Sequence, residues 1–388
     1  LGILRPEFSA VTMFLQRLCE VLLLGFFLQL NLGVAGVILA LGIGDTIAAF
    51  STCILSLRHL WRESSGGVDQ PQMAQQAKTI LAYSLPLFGA TIIDRIGVNL
   101  NKLLIGKLAG ATLLGLYGVA RLAVERILPF LWQVPQMSVA VLAEKRAGSP
   151  EPNYDEPLLR KIFRYQWSLG GLSFLAIWSV APLFVSIVSG EAYLPAVPVL
   201  RLASLGILVW SGYICSTAVF QLYRRTLGNL LVICVQFGVT YTNYLLLVPS
   251  LNIYGAVLGD ILGVIAGLVL SFWLLKRWFK LDLLRQNRSL GGQVLLLAGF
   301  ILPAWLFPSG YPLLNVVWLM ISFVGFISYL LMTGVPAPSD LRILQAHFEK
   351  PGAMDKILFY GIRWVIAYQD LTGRIQQVLE DRLDRNWK

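Results

Sequence analysis

The chain has 388 residues, 56% of them hydrophobic and only 13% charged, against roughly 25% charged residues in soluble proteins. Apolar runs of about 18 residues or more recur along it, which excludes a single soluble domain and makes an all-α integral membrane protein the expected class. The formal net charge of +10 does not point to nucleic acid, because no basic stripe alternates with stacking aromatics; most cations sit in loops between spans, where they set orientation.

The first span covers about 11–30, and Arg17 and Glu20 can pair one helical turn apart at its cytoplasmic end. A second, 33–57, follows a tight turn at Asn31–Gly33 and carries Asp45 beside Gly42 and Gly44. Asp45 reads equally as a buried residue satisfied by neighbouring backbone or as part of a cation or proton relay. The stretch 58–78 is polar, with Ser64-Ser65-Gly66-Gly67 and Asp69-Gln70-Pro71, and reads as a linker and lobe boundary.

The next two spans depart from ordinary bilayer filling. The first, about 79–105, carries Asp94, Arg95, Asn99, Asn101 and Lys102; the second carries Arg121, Glu125 and Arg126. An ionised side chain at mid-bilayer costs roughly 2.5–3.5 kcal/mol, so each needs a wet cavity or a partner. At about 100° per residue, the five polar residues of the first span fall on one half of its circumference. Ile93, Ile96, Leu100, Leu103 and Leu104 occupy the other half, as a lipid face. On the second span Tyr117, Arg121, Glu125, Pro129, Trp132 and Gln136 form one stripe, flanked by Arg126 and Gln133. The expectation is two polar stripes facing a common interior.

Further along, 144–164 is basic and expected as a cytoplasmic loop. Spans follow at 165–188, 195–223, 227–248 and 254–275, then a basic loop and a last hairpin of 293–307 and 313–332. That gives about ten helices, with cations concentrated on alternate loops, so the positive-inside rule places both termini in the cytoplasm. Gly255, Gly259, Gly263 and Gly267 recur every fourth residue, a ridge that lets helix backbones approach closely. Asp260, on the same helix, either pairs within the bundle or faces water, and receives no ligand role. The prolines Pro86, Pro129, Pro135, Pro182 and Pro198 each free a backbone carbonyl and favour a bend. Residues 355–368 mix apolar and basic side chains and read as an amphipathic helix on the inner membrane surface.

The four cysteines lie in spans and fit neither metal nor disulfide spacing. The two histidines, His59 and His347, lie outside the spans, and no Walker A run occurs. No cofactor, metal or internal ATP motor is expected.

Several short runs carry a family resemblance: Tyr83-Ser84-Leu85-Pro86-Leu87, the stretch from Asn101 to Gly110, and Leu114-Gly115-Leu116-Tyr117-Gly118-Val119-Ala120. Ser189-Gly190-Glu191-Ala192-Tyr193 with Ala196, and Pro249 followed by Tyr254-Gly255-Ala256, continue it in order. The sequence resembles the polysaccharide biosynthesis or O-antigen flippase family of the multidrug, oligosaccharidyl-lipid and polysaccharide exporter superfamily, over about residues 1–335. The resemblance implies two six-helix lobes with two extra C-terminal helices, and alternating-access transport of an undecaprenyl-pyrophosphate-linked oligosaccharide. The ten spans then correspond to helices five to fourteen, so the first lobe is expected to be incomplete and the chain truncated. Where Asn101 stands the family often has an acidic residue, which leaves ion coupling open.

The expected organisation is therefore 1–62, the last two helices of the first lobe; 63–78, a cytoplasmic linker; 79–275, a six-helix lobe; 276–335, an additional hairpin; and 336–388, a cytoplasmic or interfacial tail. The expected function is a lipid-linked oligosaccharide flippase of the inner membrane, not an enzyme. Arg95, Asn99, Lys102, Arg121 and Arg126 are its candidate substrate contacts, and Asp45, Asp94 and Glu125 the candidate ion-coupling or gating acids. Its partners would be the lipid-linked oligosaccharide, membrane lipids, a polysaccharide polymerase and glycosyltransferases. A cation-coupled drug or metabolite antiporter of the same superfamily is the nearest alternative, and would favour acidic residues over these arginines. A membrane polysaccharide polymerase or ligase would need a sizeable outside loop, and a non-transporting relative remains open.

Overall fold

The structure, a computed structural model, describes residues 6–30, scattered positions within 36–54, and 70–148, 155–281, part of 292–299, 312–333 and 335. Asp45, linker residues 63–69, most of the span expected at 293–307 and the tail at 336–388 lie outside the described residues. Among those described the chain is almost entirely helical, with no strand. The helices are α1 (Pro6–Gln29), α2 (Gln70–Ala109), α3 (Ala111–Gly148), α4 (Asp155–Ser189), α5 (Val197–Leu222), α6 (Thr226–Phe279) and α7 (Pro312–Met332), with a short 3₁₀ turn at Glu191–Ala196 before α5. Two compact units meet between Ala82 and Tyr83, inside α2.

Among the described residues, four segments are long and apolar enough to cross a membrane: 78–109, 157–189, 191–222 and 226–279. The last, with 54 residues, would run about 80 Å at 1.5 Å per residue, far more than the ~30 Å hydrocarbon core. It does not run straight. Asn252 takes φ 52°, ψ −132° just after Pro249, and beyond it the chain turns back on itself. The glycine ridge shows the reversal: a Cβ at Gly255 would strike the Leu247 backbone, at Gly259 the Tyr244 ring, at Gly263 Thr240, and at Gly267 Gln236. As the glycines step forward by four, their partners step back. That is an antiparallel hairpin, as the two spans expected at 227–248 and 254–275 require, with the ridge as its seam.

The remaining contacts set the other helices around this hairpin. Thr226 Oγ1 donates to the Tyr83 carbonyl (2.8 Å) and Tyr241 to that of Gly97 (3.2 Å), while Gly97 lies under the Phe237 ring. The part of α2 after Tyr83 therefore runs parallel to the first arm of α6. Opposite it, Gly170 faces Ser211 and Gly212 faces Trp167, so α4 and α5 approach as antiparallel neighbours. Helix α7 leans on α4 through Phe326 over Gly171 and shares an apolar cluster with Phe174 and Trp178.

Two loop expectations change. The polar residues 70–78, read as linker, are already helical, and the basic region 144–164 is helical up to Gly148 and again from Asp155. The reason for the second is visible: Leu159 and Phe163 are buried at 3% and 0% and continue the packed face of α4 by one turn beyond the span. The prolines are also accounted for in part. Pro135 has no N–H for the carbonyl four residues back, and Gln166, fully buried, donates its Nε2 to the Leu131 oxygen at 2.8 Å.

Candidate functional site

The tight turn at Gly110, with φ 89°, a backbone value that glycine adopts without penalty, folds α2 and α3 into a hairpin. Which side of each helix faces the neighbours is set by small and polar residues. On α2, Ala90, Asn101 and Ile105 are buried at 4%, 5% and 0%, Gly97 is buried, and Asp94 half-buried; these recur at three and four residues and form the packed face. Ile96, Leu100 and Leu103 point out on the far side.

Asp260, from the second arm of α6, receives the packed faces of both helices. Its Oδ2 accepts from the Tyr117 hydroxyl at 2.6 Å and from Arg121 Nη1 at 3.3 Å. Its Oδ1 accepts from the Tyr244 hydroxyl at 2.6 Å and from Asn101 Nδ2 at 3.4 Å. The two tyrosine oxygens lie 3.4 Å apart. Short hydrogen bonds from hydroxyls to an ionised acceptor are among the stronger polar contacts in proteins, and here four donors from three segments, α2, α3 and the first arm of α6, converge on one carboxylate. Arg121 also reaches Glu125 Oε1 through Nε at 3.4 Å, one turn along α3. Side-chain exposures of 16% for Arg121 and 12% for Asp260 place the pair inside the unit, while Glu125, at 39%, lies at its edge. Asp94 feels the charges of Arg95 and Arg121. One guanidinium thus pairs with two carboxylates, Asp260 and Glu125.

The expected wet face is therefore divided. Asn101, Asp94 and Arg121 turn inward, whereas Arg95, Asn99, Lys102 and Arg126 are exposed. The stripe expected on α3 divides likewise, Tyr117 and Arg121 going to Asp260 and the polar Gln133 and Gln136 staying exposed with Arg126. Arg95, Asn99 and Lys102 lie within about 60° of each other around α2, on the flank between its packed and apolar sides. The Asn99 amide donates to the Arg95 carbonyl at 3.0 Å. Among the described residues no ion-pair partner is found for Lys102 or Arg126. Arg95 and Arg126 stand about equally far from the Gly110 turn, each about 22–24 Å along its helix at 1.5 Å per residue.

Asp260, Tyr244 and Asn101 were not among the candidate contacts. The signal for Asp260 was present, a carboxylate inside a glycine-lined apolar span, but its partners lie 139 to 159 residues earlier for Arg121, Tyr117 and Asn101, beyond any local pattern.

Residues 12–145, which include α2 and most of α3 but not the α6 hairpin bearing Asp260 and Tyr244, match the profile of a family described as polysaccharide biosynthesis protein. Comparison with curated proteins gives no match. Among solved structures the fold is similar to the lipid II flippase MurJ in its inward closed conformation, with a TM-score of 0.55 and 12% identity, covering 82% of this chain and 66% of that one. The chain thus spans 66% of the length of that flippase, and at this identity the likeness concerns the fold: a multi-pass helical membrane protein. Residues 12–145 thus resemble that polysaccharide biosynthesis family, and the likeness over the longer stretch is one of fold.

Proposed function

We propose that this protein moves a lipid-linked oligosaccharide, carried on undecaprenyl pyrophosphate, across the cytoplasmic membrane by alternating access, with no covalent step of its own. The observation that carries this reading is the exposed pair of cations Arg95 and Lys102 on one flank of the apolar span 78–109, with Arg126 exposed on the following helix α3. Measured from the Gly110 turn, Lys102 lies about 12 Å deep and Arg95 about 22 Å deep at 1.5 Å per residue, both inside a ~30 Å hydrocarbon core. Cations at that depth are costly against lipid and require water or an anion. A diphosphate suits them, since arginine forks match phosphate oxygens and lysine adds a mobile point charge. Asn99 contributes a neutral donor on the same flank.

Arg121 takes a different part in this reading. Held between Asp260 and Glu125, it braces α3 against the α6 hairpin, and a shift of its guanidinium from one carboxylate to the other would couple the two; Asp94 tunes that exchange. The concentration of cations at the end of the bundle holding Arg160, Lys161, Arg224, Arg225, Arg277 and Lys280 supports a cytoplasmic position for that end and an inner-membrane location. A cation-coupled antiporter would need an acidic group free to take up a cation, and Asp260, the most enclosed carboxylate of the site, already faces an arginine.

The test is reconstitution in vesicles with lipid-linked oligosaccharide, following glycan accessibility at the outer surface. Lys102→Gln and Arg126→Gln should each slow flipping by about tenfold or more, because a hydrogen bond to a charged group contributes about 1.5–3 kcal/mol. An unchanged rate in the double variant, with normal folding, overturns the assignment.

A further inference from the structure

The end of the bundle opposite the Gly110 turn carries a second cationic surface, on the outside of the hairpin formed by α6. Along its second arm Leu262, Ile265, Val269 and Trp273 are exposed at 41%, 38%, 62% and 52%, spaced at three and four residues, so they form one outward stripe. Three aliphatic side chains followed by a tryptophan is the order met on leaving hydrocarbon for the interface. The next residue on the stripe is Arg277, whose guanidinium lies 5.0 Å from the centre of the Trp273 ring. At that distance it makes a cation–π contact with the Trp273 ring, at headgroup level.

Other cations gather beside it. The turn between α5 and α6 is pressed against the end of α6 by Phe220 on Trp278 (6.0 Å) and Tyr223 stacked on Phe279 (4.4 Å), which brings Arg224 and Arg225 next to Lys276, Arg277 and Lys280. All five are exposed. Two of them occupy left-handed backbone, Arg224 at φ 53° and Lys280 at φ 57°. The Arg225 N–H bonds the Phe220 carbonyl at 2.9 Å, closing α5 in the manner that favours glycine at the preceding position. Glycine would hold either position without steric cost, yet both carry a long cation.

We propose that this surface is a binding site for the phosphate headgroup of an anionic phospholipid in the adjoining leaflet. Arg277, fixed by Trp273, is the planar contact; Arg224, Arg225 and Lys280 supply the surrounding field; and Leu262, Ile265 and Val269 bed the acyl chain. The competing explanation is that these cations only neutralise the negative ends of α5 and α6, and the two differ in their dependence on lipid charge.

The protein is placed in nanodiscs of phosphatidylcholine with or without phosphatidylglycerol, and both its melting temperature and the phosphatidylglycerol retained after detergent exchange, by native mass spectrometry, are recorded. The wild type should melt higher with phosphatidylglycerol and keep it bound. Arg277→Gln and Arg224→Gly should each weaken retention by about fivefold, the effect expected per surface cation, and the triple variant Arg224→Gly/Arg225→Gln/Arg277→Gln should erase the lipid dependence of melting. Arg224→Gly keeps the left-handed turn and Arg277→Lys keeps the charge, so both fold, and the latter should lose less retention than Arg277→Gln. Retention unchanged in the triple variant, or a wild-type melting temperature equal in the two lipids, overturns the proposal in favour of helix-end neutralisation.

Discussion

Arg121 and Arg126 are the same side chain five positions apart on one helix, and their surroundings have nothing in common. Arg121 is 16% exposed and held by Asp260 and Glu125; Arg126 is exposed. The contrast extends to their neighbours across the turn, with Asn101 drawn into the Asp260 cluster and Lys102, the next residue, left outside. Charge inside a membrane protein therefore has two roles that composition alone does not separate. Enclosed charges, once partnered, hold helices in register; exposed charges at depth are, in the function proposed above, the ones that meet cargo.

Each substitution below should move one member of this comparison. The largest effect is expected from Asp260→Asn, which leaves Arg121 largely enclosed with a weakened partner and reduces the acceptor that Tyr117 and Tyr244 share; removing one member of an enclosed pair costs about 3–5 kcal/mol. Thermal unfolding in detergent measures it, and the double variant Asp260→Leu/Arg121→Met should recover much of the loss. Gly263→Val comes next, at about 1–3 kcal/mol, since its branched side chain meets Thr240 and the Gln236 carbonyl across the hairpin seam. Gln166→Leu should cost about 1–3 kcal/mol by leaving the Leu131 carbonyl without its donor. Lys102→Gln and Arg126→Gln should change stability by no more than about 0.5 kcal/mol while slowing transport. A loss of stability at Lys102 comparable to that at Asp260 would erase the distinction between the two regions.

Much of the architecture could be read from the chain because it depends on local pattern. The apolar spans follow from run length, the reversal after Pro249 from a break between two such runs, the seam from a four-residue glycine repeat, and the pairing of Arg121 with Glu125 from their spacing of one turn. The candidate site was legible only in part. Periodicity fixes the angle between residues on one helix but not the rotation of that helix against its neighbours, so Asn101 and Lys102 were assigned to one wet face that packing divides. Asp260 stood in view as an acid in an apolar span, but its donors come from two other helices and from the opposite arm of its own hairpin. The bond from Gln166 to the Leu131 oxygen was hidden for a similar reason: Pro135 announces a freed carbonyl, and nothing nearby announces which side chain will reach it.

The glycine seam of α6 also bears on assembly. Its partners lie close together along the chain, and contacts of that kind form early because they close only a short loop. The two arms can therefore zip together as soon as both have been made, giving the later helices a finished edge to dock on and bringing Asp260 into position beside Tyr244 before synthesis has reached the C-terminus.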